Sequence, residues 1–147
     1  LPHAARWTHV TMISAITNQG LVRFAMHEGS INTDRLIDFM DRLVRDAEGR
    51  KVFLILDNLR VHHALAVKEW LATRADQIEV FYLPSYTPDA NPDEYLNRDL
   101  KTSLRSQEPK RTRHDLWSAA RAFMELLEKT PARVRAYFTH PCVHYAC

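Results

Sequence analysis

The sequence predicts an α/β domain with a mixed sheet, in which an antiparallel hairpin accompanies parallel strands flanked by helices. Two apolar runs, VFLIL at residues 52–56 and IEVFYL at residues 78–83, alternate with segments of helical periodicity. This order is typical of a parallel sheet. Before them, two strand-like segments flank the turn-forming Asn18-Gln19-Gly20, which predicts a hairpin. We expect one domain over residues 1–147, because a single core can serve a chain of this length.

The first third of the chain is predicted to form the hairpin and one helix. Residues 7–17 are rich in β-branched and aromatic types, and residues 21–26 alternate between apolar and polar side chains. From Asn32 to Asp34 the chain offers side chains that favour a helix N-cap. Apolar residues then recur at steps of three and four, at Leu36, Phe39, Met40, Leu43 and Val44. Gly49 is a typical residue for the end of such a helix.

The remaining elements follow in an alternating order. The run at 52–56 is apolar at every position, as expected for a central strand covered on both faces. A helix is predicted over residues 62–73, a strand over 78–83, and helices over 93–105 and 114–128. Prolines at positions 84, 88 and 92 limit the backbone just before the helix at 93, so the start of that helix should be held firmly.

Composition excludes several classes of protein. The chain is 46% hydrophobic and 26% charged with 3 Gly, which indicates an ordered globular protein. No apolar run approaches the roughly 18 residues of a membrane span, so we expect no membrane partner and a cytoplasmic location. Cys142 and Cys147 lack disulfide or zinc spacing, although a metal site with His140 and His144 stays open beside an unstructured tail. Because the chain begins Leu-Pro-His without Met, we expect a fragment.

Two carboxylates are candidates for catalysis. Asp57 directly follows the first apolar strand, and Glu94 lies just beyond the second, after the proline segment. Functional groups of open α/β sheets gather beyond the carboxyl ends of parallel strands, so these side chains can converge, and we expect them within about 8 Å. Carboxylates suit Mg²⁺, which also keeps water and phosphate ligands. Structural alternatives stay open: a strand exit for Asp57, a helix dipole contact for Glu94, and surface polarity for His62-His63.

At these residues the sequence resembles a known family. LILDNLRVHHALAVKEWL followed by IEVFYLPSYTPDANPDEYLNRDLK is similar to the catalytic domain of DDE-type transposases of the Tc/mariner-like superfamily, in its bacterial insertion-sequence branch. The resemblance implies an RNase H-like fold with three acids that bind two Mg²⁺ or Mn²⁺ ions. Asp57 matches the second acid and Glu94 the third. Asn58 and His63 match neighbours of the second acid, with a role in orienting it or in contacting a phosphate.

The sequence also departs from the family pattern at one point. The family's first acid lies on a first strand, whereas no Asp or Glu precedes Glu28 here. We therefore expect the first strand and first carboxylate to be missing, and metal binding and catalysis to be weak or absent in this fragment. The function predicted for the parent is metal-dependent DNA cleavage and strand transfer. The alternatives are a catalytically dead remnant that binds DNA or a protein and, ranked lower, a phosphotransfer domain using Asp57.

A basic region follows Glu94 and is predicted to contact DNA phosphates. Two acids, Asp99 and Glu108, accompany its six basic residues, so its net charge is 6 − 2 = +4. The basic residues are Arg98, Lys101, Arg105, Lys110, Arg111 and Arg113. Such contacts position DNA without reading its sequence, and a solvated helix face is the alternative. The expected partners are transposon ends and target DNA, with the protein acting as a homodimer on DNA near the nucleoid.

Overall fold

The computed structural model describes residues 10–57, 60–84, 87–107 and 112–146. Contacts divide the chain into two compact units. The first, which we call the hairpin unit, comprises Leu1–Ser30 and Asp89–Cys147, and the second, the parallel-strand unit, comprises Ile31–Pro88. The expectation of a single domain stays a prediction, and the two units are described separately.

Within its described residues, the hairpin unit consists of an antiparallel strand pair and three α-helices. Strand β1 spans Val10–Ile16 and β2 spans Val22–Glu28, in a register that runs from Val10↔Glu28 to Ile16↔Val22. The helices of this unit are α3 at Pro92–Arg105, α4 at Arg113–Glu128 and α5 at Pro131–Ala136. 3₁₀ helices of three and six residues lie at Pro88–Ala90 and Pro141–Ala146.

The core of the hairpin unit joins β2 to the helices. Leucines at every fourth position of α3 lie on one face, as the helical period requires. They pack with an apolar stripe of α4 and with Val22 and Val134. The buried leucines of α3 are Leu96, Leu100 and Leu104, and the buried residues of the α4 stripe include Leu116, Ala120, Phe123 and Leu127.

The parallel-strand unit alternates helices and strands as predicted. Helix α1 spans Thr33–Asp46, β3 Val52–Leu56, α2 Leu65–Ala72 and β4 Ile78–Tyr82, with a 3₁₀ helix at Arg60–His63. Strands β3 and β4 pair in parallel, from Val52↔Ile78 to Leu56↔Tyr82. The unit has its own core, formed by four buried residues, Leu36, Met40, Val67 and Ile78.

The predicted fold class is confirmed, with two details that the sequence did not predict. The hairpin and the parallel strands flanked by helices are both present, and among the described residues they form two two-stranded sheets. Strand β3 was predicted to be covered on both faces, but its side chains alternate: Phe53 is 64% and Ile55 38% exposed. One face of the pair carries the core with α1 and α2, while the other presents Phe53 and Phe81 with ring centroids 6.4 Å apart.

Helix boundaries agree closely with the sequence where a side-chain cap is present. Asn32 caps α1 by accepting from the Arg35 N–H, Asn91 caps α3, and Thr112 caps α4. The helix predicted over residues 62–73 instead begins at Leu65, because the preceding residues form the 3₁₀ helix and Ala64 has no capping side chain. Within the described ranges, no helix is long and apolar enough to cross a membrane.

Gly20 turns the hairpin at a place that excludes a side chain. Its φ is +95°, and a Cβ there would lie 2.6 Å from the Pro131 main-chain oxygen and 2.8 Å from its Cβ. We expect Gly20→Ala to lower the free energy of unfolding by about 1–3 kcal/mol through backbone strain, and the collision with Pro131 should add to this loss. Chemical denaturation measures the loss.

Gly49 offers the matched control for this substitution. Its φ is +87°, but nothing lies within 4 Å of a Cβ added there. Gly49→Ala therefore carries the backbone strain without the collision, and its cost should be the smaller of the two. Equal losses for the two variants would show that the approach of Gly20 to Pro131 has no energetic weight.

Candidate active site

Asp57 lies at the carboxyl end of β3, as the sequence predicts. The parallel ladder reaches past this point, because the Leu83 N–H donates to the Leu56 carbonyl oxygen at 2.8 Å. The Asp57 side chain is 36% exposed, but its Oδ1 is buried and has no hydrogen-bond partner among the described residues. An unsatisfied buried carboxylate oxygen is costly, and a hard divalent cation is a ligand that would satisfy it. This oxygen therefore fits the predicted Mg²⁺ or Mn²⁺.

His62 is packed against Asp57 from the 3₁₀ helix that follows it. Its Nδ1 lies 2.8 Å from the Asp57 main-chain oxygen and 3.0 Å from Asp57 Oδ1. The approach to Oδ1 lacks the alignment of a hydrogen bond, so the hydrogen bond is the one to the main-chain oxygen. Sequence reasoning considered this histidine as surface polarity, whereas it is only 8% exposed. His62 follows Asp57 by five residues, and this spacing indicates contact between the two only when the 3₁₀ helix at Arg60–His63 is known.

His63 and Asn58 were the residues predicted to support Asp57. The His63 ring stacks on Tyr82, with centroids 4.1 Å apart, and Asn58 lies outside the described residues. The role predicted for each of them beside Asp57 stays a prediction. Tyr82 in turn donates from its hydroxyl to the His62 carbonyl oxygen at 2.8 Å, and burial raises the pKa of this hydroxyl.

Glu94 lies in the first turn of α3, whose start is held by several local contacts. Asn91 Oδ1 accepts from the Asp93 N–H at 3.0 Å, and Pro92 occupies the first turn, where a missing N–H costs nothing. Ser14 of β1 donates from its hydroxyl to Asp93 Oδ1 at 2.6 Å. Asp93 therefore ties the helix start to the hairpin, which leaves Glu94 as the acid of this pair with a candidate chemical role.

Arg98 is the member of the predicted basic region that lies nearest to this helix start. Its Nη2 is 2.8 Å from Asp89 Oδ1, and its guanidinium lies 5.1 Å from the Tyr95 ring centroid. The hydrogen bond that Arg98 donates to Asp89 is the main cause that raises the pKa of Arg98, and the charge of Glu94 adds to it. Tyr95 also donates to the Asp89 main-chain oxygen at 3.1 Å. These contacts fasten the turn before α3, a structural task that the sequence did not predict for Arg98.

The other basic residues differ in their surroundings. Lys101 and Arg105 are exposed on α3, as a phosphate contact requires. Arg113 Nη1 lies 3.7 Å from Glu28 Oε2, an ion pair at the surface of the hairpin unit. Lys110 and Arg111 lie outside the described residues. Contact of these residues with DNA stays a prediction.

The two candidate acids belong to different units. Asp57 is part of the parallel-strand unit and Glu94 part of the hairpin unit. Their expected separation of about 8 Å is therefore a prediction. Within the described ranges, no group of three or more His, Cys, Asp or Glu side chains could hold a metal ion.

The fold is similar to that of transposase catalytic domains of known structure. A structure of the Mos1 transposase catalytic domain with Raltegravir and Mg matches 97% of this chain and 88% of that chain, with a TM-score of 0.61 and 19% identity. The crystal structure of the catalytic domain of Mos1 mariner transposase matches with the same score and identity, over 97% and 87%. At this identity the likeness concerns the fold, which is the RNase H-like one that the sequence predicted.

The family of the chain follows from its sequence. The family described as DDE superfamily endonuclease matches residues 1–116, which include both candidate acids. The chain belongs to this family, whose members cleave DNA in transposition, and the predicted resemblance to a DDE transposase catalytic domain is thereby confirmed. No curated protein sequence matches the chain.

Proposed function

We propose that this chain is the catalytic domain of a transposase that cleaves and transfers DNA strands with Mg²⁺ or Mn²⁺, and that Asp57 and Glu94 are two of its metal ligands. The observation that supports it most is the buried Asp57 Oδ1 at the end of β3, which lacks a hydrogen-bond donor among the described residues. Family membership supplies the reaction class. In such sites the bound ions activate the attacking oxygen and stabilise the leaving one.

The chain's own residues have distinct tasks in this proposal. Asp57 and Glu94 provide the negative charge that holds the ions, and each is anchored by contacts within its own unit. Asp57 directly follows the last residue of β3, and its main-chain oxygen is hydrogen-bonded to the His62 ring. Glu94 directly follows Asp93, whose carboxylate accepts a hydrogen bond from the Ser14 hydroxyl. A site held by preorganised ligands spends less free energy on ordering when substrate binds. A third carboxylate is required to complete the family's set of three.

A shared metal site can be tested by paramagnetic broadening of NMR signals by Mn²⁺. We expect the amide signals around both Asp57 and Glu94 to broaden over the same range of Mn²⁺ concentration. Asp57→Asn should reduce the broadening around Glu94 as well as around Asp57, because both residues bind the same metal ions in this proposal. Asp38→Asn on the exposed face of α1 is the control that removes a charge without touching the site.

Two outcomes would contradict the proposal. If Asp57→Asn removes the broadening around position 57 alone, the two acids bind metal separately and do not form one site. If neither region broadens even in a version extended at its N-terminus by a strand that ends in Asp, the carboxylates are not metal ligands, and the structural alternatives for Asp57 and Glu94 are correct.

A second candidate function is binding of DNA or a protein without catalysis. It is favoured by the exposed basic side chains of Lys101 and Arg105 on α3, which could contact DNA phosphates without any metal ion. Cleavage of a transposon-end duplex separates the two candidates, when this chain is compared with a version extended at its N-terminus by a strand that ends in Asp. Gain of Mg²⁺-dependent cleavage in the extended version supports the enzyme, and cleavage by neither supports the binding module.

DNA contact by the exposed basic residues of α3 predicts a change in salt dependence. We expect Lys101→Glu with Arg105→Glu to weaken DNA binding and to reduce the slope of log K against log salt by about 0.9 per lost phosphate contact, or about 1.8 for two. Fluorescence anisotropy over a salt series measures both quantities. Lys68→Glu, which replaces an exposed residue on α2, is the control and should leave the slope unchanged. An unchanged slope in the double variant would show that Lys101 and Arg105 are solvated surface residues that do not contact DNA.

The proposed assembly is a homodimer formed on DNA. Light scattering of the chain with and without a transposon-end duplex tests it, and a complex with one protein chain per duplex would contradict it. Cytoplasmic location with association to the nucleoid belongs to the same proposal, because DNA is the substrate.

A further inference from the structure

The contacts of His62 determine where its proton lies. Its Nδ1 is 2.8 Å from the Asp57 main-chain oxygen, and a carbonyl oxygen can only accept a hydrogen bond. Nδ1 therefore carries a hydrogen and donates it to this oxygen. The same ring edge passes 3.0 Å from Asp57 Oδ1, so the imidazole lies beside the carboxylate oxygen that lacks a hydrogen-bond partner among the described residues.

The position of His62 is itself determined by a neighbouring strand. Tyr82, the last residue of β4, donates from its hydroxyl to the His62 carbonyl oxygen at 2.8 Å. Tyr82 also pairs with Leu56 in the parallel register, and Leu56 directly precedes Asp57. Contacts thus run in a closed circuit from Asp57 to His62, to Tyr82, to Leu56 and back to Asp57. A closed circuit of this kind restricts the main chain at Asp57 more than any one of its contacts could.

We propose that His62 is a positioning residue that fixes the Asp57 carboxylate for metal binding, through its Nδ1–H···O bond to the Asp57 main chain and the contact of its ring with Oδ1. This inference rests on the proposed function of Asp57 as a metal ligand. It assigns to His62 the task that the sequence resemblance assigned to Asn58 and His63. Burial of the ring, at 8% exposure, keeps it in one place between the strand end and the 3₁₀ helix.

The proposal predicts a loss of metal affinity without a matching loss of stability. Residues that orient a metal ligand typically contribute about 10–100-fold to affinity, so His62→Ala should weaken Mn²⁺ binding by about that factor. His62→Asn is the rescuing variant, because the amide nitrogen of asparagine reaches the position of Nδ1 and can donate to the same oxygen. His62→Gln places its nitrogen near the position of Nε2 instead and should not rescue.

The experiment measures Mn²⁺ binding to the chain by electron paramagnetic resonance, together with thermal unfolding of each variant. The expected order of affinity is wild type, then His62→Asn, with His62→Ala and His62→Gln together at the bottom. His114→Ala, at an exposed position on α4, controls for the loss of any imidazole and should bind as the wild type does. An NMR spectrum of the imidazole nitrogens should show hydrogen on Nδ1 of His62 in the metal-free chain, a readout that needs no metal.

The outcomes separate this inference from the proposed function. If the wild type binds Mn²⁺ and His62→Ala binds it equally well, His62 has no positioning role, while the metal site stands. If His62→Gln restores binding and His62→Asn does not, the Nδ1 assignment is wrong. If neither the wild type nor a version extended at its N-terminus by a strand that ends in Asp binds Mn²⁺, the proposed metal site fails first, and both proposals are overturned. Should His62→Ala fail to fold, the comparison of the asparagine and glutamine variants decides the question.

Discussion

Replacing Glu94 by glutamine is expected to abolish Mg²⁺-dependent DNA cleavage in a chain that carries the third carboxylate on an N-terminal extension. Glutamine keeps the shape of the side chain and removes the charge that would hold the ion. Loss of a residue that merely orients a metal ligand costs about 10–100-fold, so loss of the ligand should exceed about a hundredfold. The measurement is the single-turnover rate of cleavage of a transposon-end duplex, together with thermal unfolding to show that the fold is intact.

The adjacent acid provides the control for this prediction. Asp93 accepts from Ser14 and belongs to the helix start, and Asp93→Asn keeps an oxygen that can accept this hydrogen bond. Its cleavage rate should therefore stay close to that of the unaltered chain. Full cleavage by Glu94→Gln would show that Glu94 is not a metal ligand. Equal losses in both variants would show that the helix start, and not the Glu94 charge, is what catalysis requires.

The second large effect is expected at Asp99, which connects α3 to α5 within the hairpin unit. Arg133 donates to it from Nε at 2.7 Å and from Nη2 at 2.6 Å, and the Tyr137 hydroxyl donates at 2.5 Å. The hydrogen bonds from Arg133 are the main cause that lowers the pKa of Asp99, and burial opposes them. We expect Asp99→Asn to reduce the free energy of unfolding by about 1–3 kcal/mol. Because the Arg133 side chain is 40% exposed, solvent screening favours the lower part of this range.

The pH dependence of this loss has a definite sign. A carboxyl whose folded pKa is lowered stabilises the fold above its unfolded pKa of about 3.9, and this contribution disappears as the pH falls through the folded value. The difference in stability between the unaltered chain and Asp99→Asn should therefore be complete at pH 7 and shrink below about pH 4. Urea denaturation at several pH values measures it.

A surface ion pair is the control for Asp99. Arg121 Nε lies 3.0 Å from Glu125 Oε1 on α4, and both side chains are more than half exposed, at 58% and 51%. Glu125→Gln should change the stability by no more than about 0.5 kcal/mol. If the difference in stability between the unaltered chain and Asp99→Asn stays constant down to pH 2, the ionisation of Asp99 is not linked to folding.

Helix starts and the core-facing positions of the helices could be predicted from the sequence because their causes are local. Asn32, Asn91 and Thr112 accept from a main-chain N–H two or three residues away, so the cap and its helix lie in one short window. The apolar stripe of α4 is also visible in the sequence, because helical residues three and four apart share a face. These local causes were sufficient to place both Asp57 and Glu94 at the end or start of an element.

Contacts between distant segments could not be predicted in this way. Asp99 and Arg133 are 34 residues apart, and Tyr82 meets His62 across 20 residues. Charge alone made Arg98 a candidate for DNA contact, and the sequence left open whether His62 is a polar surface residue. The reason is that no periodic pattern shows which side chain of another element lies opposite a given residue.

The sequence by itself determined the α/β class, the hairpin, the parallel strands, the family and the two candidate acids, since each depends on short patterns of residues. Only the tertiary structure decided that Asp57 Oδ1 is buried without a hydrogen bond among the described residues and that His62 is the buried histidine beside it. It also decided that Arg98 pairs with Asp89. The physical reason is that burial and hydrogen-bond pairing depend on atoms from several segments, which meet only when the strands and turns are assembled.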